Sequence, residues 1–304
     1  MDLAPIIKEI GRGAKGAKPL SENLAAALFG QMLDGQVPDL ELGAILLSLR
    51  IKGEAAEEIA GFKKAMDART THIEVPHGPR CVVLPSYNGA RRQANLMPLV
   101  ASLLARRGVP VLIQGHHDFA ERSNPFELLA RLGVEACANP AAAAEQLGKH
   151  GLACIQLEKL NPGLAKLLSL RQRLGLRNTA HTLAKLLDPC PGRSVRVLAL
   201  THPEYFDRMS EQLQREAGHA LLMRGTEGEA YAHPRRRPRL LGFFAGKPVE
   251  LFAREEGSDL LREAGESGKI TANAALITAM LDGTLPVPQP ILDQVAALEQ
   301  LAHA

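Results

Sequence analysis

Over the first seventy residues the apolar positions recur at helical spacing. Residues 3–10 form a short apolar-periodic segment, and Gly11 to Lys18 then reads as a flexible basic loop. Ser21 is a suitable N-cap for a helix through Leu24, Leu28 and Met32, which Asp34-Gly35 closes. A second helix starts near Asp39, carries Leu42, Ile45, Leu46 and Leu49 on one face, and stops at Lys52-Gly53. A third, from about Ala55 to Ala68, has Ile59, Phe62 and Met66 on its apolar side. Short helices joined by tight turns predict a small helical domain over residues 1–72, joined by a helical contribution from about 164–187.

After Thr70 the pattern changes to apolar runs alternating with helical stretches. Cys81 to Leu84 reads as a buried strand, Pro85 to Gly89 as a turn, Leu96 to Arg107 as a helix, and Val109 to Gln114 as the next strand. Helical stretches at Leu128 to Leu132 and Ala141 to Leu147 precede a strand at Ala153 to Leu157. Leu164 to Leu174 and Thr182 to Leu187 are helical again. Val195 to Leu200, Ala220 to Met223 and Leu240 to Phe244 are further strands, with two last helices within 255–302. This alternation predicts an α/β domain over 73–304 with a mainly parallel sheet, beside a separate small all-α domain.

Composition narrows the function classes. Hydrophobic residues make up 46% and charged residues 23%, which excludes wholesale disorder. No apolar run reaches the ~18 to 20 residues that span a bilayer, and Met1 to Lys18 carries charges where a signal peptide needs an apolar stretch. The expectation is a cytoplasmic protein with no membrane partner. Cys81, Cys137, Cys154 and Cys190 are widely spaced and read as buried thiols. The net charge of +3 is mild, but arginine is concentrated at Arg91-Arg92, at Arg171 to Arg177, and at Arg235-Arg236-Arg237 with Arg239. Aromatics are only 4%, which argues against a platform for successive stacked bases and leaves phosphate contact to dominate any nucleic-acid binding.

Three stretches resemble the anthranilate phosphoribosyltransferase family and, more widely, the class II pyrimidine nucleoside phosphorylases. They are Leu33-Asp34-Gly35 with Leu42 to Leu46, Leu49 to Glu54 and Glu57 to Gly61; Phe126 to Val134; and Asn161-Pro162 with Leu170 to Thr179. The resemblance covers about residues 20–250 and implies that family's fold.

The same resemblance implies lost chemistry. Where the catalytic family carries G-T-G-G-D, whose bare amides cradle the pyrophosphate of phosphoribosyl pyrophosphate, this chain has Pro85-Ser86-Tyr87-Asn88-Gly89. Where it carries K-H-G-N-R, this chain has Ile113-Gln114-Gly115-His116-His117. The family's magnesium-binding Asp-Glu pair matches Ala230-Tyr231, with Glu227 and Glu229 close by in sequence. What remains, above all Arg224-Gly225-Thr226-Glu227-Gly228-Glu229, resembles the YbiB-type branch, whose members dimerise through the helical domain and bind DNA and RNA without evident sequence preference.

The resemblance thus implies a homodimer without a catalytic centre or cofactor that grips the phosphate backbone of DNA or RNA. Its contacts would be Arg91, Arg92, Arg171, Arg177, Lys185, Arg224, Arg235, Arg236, Arg237 and Arg239, with secondary contacts from Lys15 and Lys18. Ser86, Asn88, Gly89, Gly115, His116 and His117 would line the former substrate cleft, onto which Arg91-Arg92 and the 235–239 cluster should both open. The alternative is a diverged transferase using phosphoribosyl pyrophosphate, with Glu227 and Glu229 holding magnesium.

Each feature also has a plainer reading. Arginine runs in loops fit a solvated surface, and Arg171, Arg173 and Arg177 fit local ion pairs on a helix. His116-His117-Asp118 has the residue types of a metal or acid–base site but no third ligand from the sequence, and reads better as polar cleft lining. Gly11 to Lys18 lacks phosphate-loop spacing, and Ser86 and Cys81 have no sequence-local histidine partner.

Overall fold

The computed structural model describes residues 1–13, 15–117, 121–202, 204–255 and 270–304; Ala14 of the basic loop and Asp118 lie outside them. In chain order the helices are α1 (Ala4–Ile10), α2 (Glu22–Leu33), α3 (Asp39–Lys52), α4 (Ala56–Asp67), α5 (Met97–Arg106), α6 (Pro125–Arg131) and α7 (Pro140–His150). Then come α8 (Leu157–Leu160), α9 (Pro162–Ser169), α10 (Arg171–Leu174), α11 (Thr179–Leu183), α12 (Glu204–Glu216), α13 (Ile270–Leu281) and α14 (Gln289–Ala302). The strands are β1 (Cys81–Ser86), β2 (Val111–Gly115), β3 (Leu152–Gln156), β4 (Ser194–Leu200), β5 (His219–Arg224), β6 (Leu240–Phe244) and β7 (Lys247–Phe252).

Several starts follow from one dipeptide. Asn124, Asn139 and Asn161 each cap a helix whose next residue is proline, accepting the N–H of Glu127 (2.9 Å), Ala142 (2.9 Å) and Leu164 (3.0 Å). Asparagine satisfies an orphan amide, and proline at the first helical position has no N–H to satisfy. The stretch expected as one helix over 164–174 is instead two, α9 and α10. Ser169 donates its hydroxyl to the Lys166 carbonyl (2.8 Å), a local bond that competes with the helical ladder at the break.

The chain divides into two compact units. The helical unit comprises Met1–Thr71 and Leu157–Pro189, so its returning segment begins before residue 164. Helices α2 and α4 pack so closely that a Cβ on Gly61 would lie 2.2 Å from the Glu22 carbonyl, and Phe29 stacks on Phe62 with ring centres 5.1 Å apart. Asn161 ties the returning segment in by donating to the Met66 carbonyl (3.2 Å) and Thr70 Oγ1 (3.1 Å).

The second unit, His72–Gln156 with Cys190–Ala304, is built on one seven-stranded sheet in the order β3-β2-β1-β4-β5-β6-β7. The first five are parallel, and β6 and β7 are antiparallel additions, β7 being a strand the apolar pattern did not mark. Val82, Leu84, Val111, Ile113, Val195, Val197, Leu221 and Met223 alternate along their strands and share one core with residues of α5, α13 and α14. All four cysteines are buried free thiols, and burial pushes the Cys154 thiol up to about 12.

A buried ion pair holds the helical unit's first turns. Glu58, fully buried, accepts from Lys52 Nζ (2.5 Å) and from the backbone N–H of Leu20 (2.9 Å) and Ala55 (2.8 Å). Glu58→Ala is expected to cost about 3–5 kcal/mol, because it strands a buried cation and two amides. A urea titration followed by far-ultraviolet circular dichroism checks it, with Glu58→Gln losing clearly less.

Candidate functional site

The strand order reverses at β1: β2 and β3 lie to one side of it, β4 and β5 to the other. In open parallel sheets the crevice at the carboxyl ends of such strands is the place for a ligand. Three loops meet there, residues 86–93 after β1, 115–117 after β2 and 224–229 after β5, together with Thr201 after β4.

Strand β1 reaches that edge despite Pro85. Cys81 N–H faces β4 through the Arg193 carbonyl, and Val82 N–H faces β2 through the Pro110 carbonyl. Alternation therefore turns position 85 toward β4, whose register with β1 stops at Val83. A residue without an N–H leaves no ladder bond unmade there. On the other side Gly115 pairs with Ser86, and a Cβ on it would lie 1.9 Å from the Ser86 carbonyl, so only glycine allows the two strands to close.

The turn after β5 fastens the loop after β1. Glu227, at φ 52°, directs its carboxylate to three successive backbone amides, Arg91 (3.1 Å), Arg92 (2.8 Å) and Gln93 (3.1 Å). Asn88 Nδ2 donates to the Glu227 carbonyl (2.9 Å). Glu229 is fully buried; it accepts from the Ser86 hydroxyl, from Asn88 N–H (3.1 Å) and at longer range from Asn95 Nδ2 (3.5 Å). Burial pushes its carboxyl up, opposed by the bonds from Ser86, Asn88, Gly89 and Asn95. The doubling-back needs both glycines of the turn: a Cβ on Gly225 would meet the Glu229 carbonyl at 2.3 Å, and one on Gly228 would meet Asn88 Nδ2 at 2.3 Å.

Ser86 has a histidine partner after all. His117 Nε2 lies 2.8 Å from Ser86 Oγ, brought there by the adjacent ends of β1 and β2. The Ser86 hydroxyl donates to the Glu229 carboxylate and so stands between that carboxylate and the His117 ring. Tyr87 is buried with its hydroxyl on Gln114 Oε1 (2.5 Å), and Tyr231 is fully buried with its hydroxyl on the Ala94 carbonyl (3.0 Å). Among the described residues no group of three or more His, Cys, Asp or Glu is placed to hold a metal ion.

Beside this staple lies a cavity of about 460 Å³, on which Arg92 converges with Arg224, Arg236, Arg237 and Arg239. Arg91 and Arg235 are exposed but do not line it. Arg237 is nearly buried, bound to Asp293 (2.6 Å) and Glu255, and Arg239 pairs with Glu250; both guanidinium groups are committed to carboxylates. Arg92, Arg224 and Arg236 make no ion pair with another described residue. Arg171, Arg177, Lys185, Lys15 and Lys18 belong to the helical unit, where Arg173 pairs with Asp39 (3.1 Å) and Lys18 with Glu9 (3.7 Å).

Sequence spacing missed the cavity's His233, Gln93 and Phe206. His233 Nδ1 accepts from Arg235 N–H (3.2 Å), and its Nε2 lies 2.9 Å from Gln93 Nε2. Its pKa is lowered, first by burial and then by Arg236, Arg235 and Arg224, so the imidazole registers the positive potential of the cavity.

Glu229→Ala removes the acceptor of a buried hydroxyl and a buried amide and is expected to cost about 3 kcal/mol. Glu229→Gln, neutral and still an acceptor, should cost less than half of that in the same chemical-denaturation measurement.

Residues 4–70 match the helical bundle domain of the glycosyl transferase family. The Escherichia coli protein YbiB is 40% identical over 300 residues, covering 97% of this chain and 93% of that protein. An anthranilate phosphoribosyltransferase from Bradyrhizobium is 26% identical over 304 residues, 98% of this chain and 88% of that one. The fold is shared with the crystal structure of anthranilate phosphoribosyltransferase from Thermus thermophilus, with a TM-score of 0.77 at 24% identity over 99% of this chain and 88% of that one. It is shared also with the Saccharomyces cerevisiae enzyme in complex with PRPP and Mg, with a TM-score of 0.70 at 16% identity over 98% and 86%. With the helical bundle, the whole-chain identity and the sheet all in agreement, the chain belongs to the anthranilate phosphoribosyltransferase-like (TrpD-like) family, together with YbiB of Escherichia coli.

Proposed function

We propose that this protein is a nucleic-acid-binding member of its family that holds the phosphate backbone of DNA or RNA without base discrimination. The observation that carries the reading is the convergence of Arg92, Arg224 and Arg236, none paired with another described carboxylate, on one cavity. Around that cavity stand six arginines against two glutamates, one of which is bound to Arg237 and the other to three amides. Guanidinium forks match phosphate oxygens, and each neutralised phosphate releases condensed counterion. Arg91 and Arg235 flank the cavity residues in sequence and are further phosphate contacts in this proposal, as are Arg171, Arg177, Lys185, Lys15 and Lys18 of the helical unit.

The transferase alternative has less to support it. The residues present do not fit a pyrophosphate with its magnesium: the loop amides face Glu227 and Glu229, and both carboxylates face donors that a cation would have to displace. Ala230 and Tyr231, where the family's metal-binding pair would stand, are fully buried.

The second part of the proposal is a homodimer through the helical unit. Leu40, Leu47 and Ile51 lie on one stripe of α3 and are 82%, 46% and 58% exposed. A stripe of three large apolar side chains offered to solvent fits a second copy of the same helix.

In a salt series with labelled oligonucleotide, Arg92→Ala, Arg224→Ala and Arg236→Ala should each weaken binding and flatten the dependence of log affinity on log salt by about 0.7–0.9. Arg237→Ala should act differently, lowering stability by stranding the buried Asp293 carboxylate. Unchanged slopes in all three cavity variants would remove this assignment. For the dimer, Leu47→Glu combined with Ile51→Glu should yield a particle of 32.7 kDa by light scattering, where the unaltered chain gives twice that mass.

A further inference from the structure

We propose that the arginine-lined cavity takes one unstacked nucleotide, its base against the Phe206 ring and its phosphate on Arg92, Arg224 and Arg236, so that the protein prefers single-stranded nucleic acid. This rests on the nucleic-acid reading of the same site and names what enters it.

A surface that reads only backbone phosphates needs exposed cations along a groove and no hollow. Here the cations surround a cavity of about 460 Å³, within the ~300–1,000 Å³ range of small-molecule pockets, and Phe206 lines it. The position of that ring follows from the sequence of α12. Phe206, Met209 and Leu213 stand at i, i+3 and i+7, one apolar stripe; Met209 and Leu213 are buried, while Phe206 is only half-buried. Phe206 lies in the helix's first turn, just past the carboxyl end of β4, so the stripe ends in the cavity.

An aromatic face beside guanidinium groups is the chemistry that receives a base and its phosphate together. The remaining polar lining is tolerant: the Gln93 amide and the Thr201 hydroxyl each both donate and accept, so any base finds a partner and none is selected. A base inside a duplex is stacked on both faces and is unavailable to Phe206, whereas a single strand delivers it at little cost. The low aromatic content of the chain is compatible with this, since one ring serves one nucleotide and no platform for successive bases is required.

The test compares binding of a thymidine oligonucleotide and of a random-sequence duplex of equal length at fixed salt, for the unaltered chain, Phe206→Leu and Phe206→Trp. The expected result is tighter binding of the single strand by the unaltered protein. Phe206→Leu, which still fills the apolar stripe, should lose about five-fold or more on the single strand and leave the duplex unchanged. Phe206→Trp should restore the preference, and thymidine monophosphate should displace the labelled single strand at lower concentration than inorganic phosphate. A Phe206→Leu variant, folded by circular dichroism, that keeps its preference or loses equally on both substrates overturns the nucleotide pocket and leaves the phosphate reading standing. Failure of the unaltered chain to bind either substrate at low salt overturns both.

Discussion

The arrangement at the sheet edge depends on one interaction, the capture of the loop after β1 by two carboxylates from the turn after β5. Backbone amides that converge on one point repel each other's partial charges and need an anion or an equivalent acceptor. In this chain the acceptor is internal: Glu227 serves Arg91, Arg92 and Gln93, and Glu229 serves Asn88 and the Ser86 hydroxyl. The loop is thereby held in place by the chain itself and needs no bound phosphate to order it. Arg92 is carried on that loop and Arg224 on the strand that leads into the turn, so the staple also fixes two of the cavity's arginines relative to each other.

The fold is shared with phosphoribosyltransferases, and at the same strand ends this chain sets its own carboxylates against the loop amides. Fold sets where the loops meet; the side chains there decide what they hold. A carboxylate set against amides is well compensated, and a second anion brought to the same amides would meet repulsion. The positive charge is displaced to the neighbouring cavity, where Arg92, Arg224 and Arg236 make no ion pair with another described residue. The His233 pKa is lowered first by burial, and the neighbouring Arg236, Arg235 and Arg224 lower it further because a nearby cation disfavours the protonated form.

The arginines divide by the company they keep. Arg237 bridges Asp293 and Glu255 and stacks over Phe252 at 5.3 Å, joining α14 to the strand edge; it is part of the frame. Arg236, its neighbour in sequence, is exposed and among the described residues donates only its backbone N–H, to the His233 carbonyl (3.1 Å). Adjacent residues of one type therefore have opposite roles, one spending its charge on the fold and one offering it to solvent at the end of the turn that His233 opens.

Much of the architecture was legible in the sequence, because helical and strand periodicity are local properties: the Ser21 cap, the stop at Gly53 and the buried run from Cys81 are each readable within a few residues. The arginine clusters and the unusual Pro85 to Gly89 turn were visible in the same way. Strand β7 was not, since an edge strand whose first four residues are all exposed carries too little apolar alternation to mark it. The pairing of Ser86 with His117, separated by 31 positions, and the reach of Glu227 to amides more than 130 positions away were invisible, because no local pattern encodes contacts made by strand order. Sequence determined which residues were available and which stretches would be helix or strand. Only the tertiary structure decided which arginines meet carboxylates and which meet a cavity, because that depends on what the sheet brings to its edge.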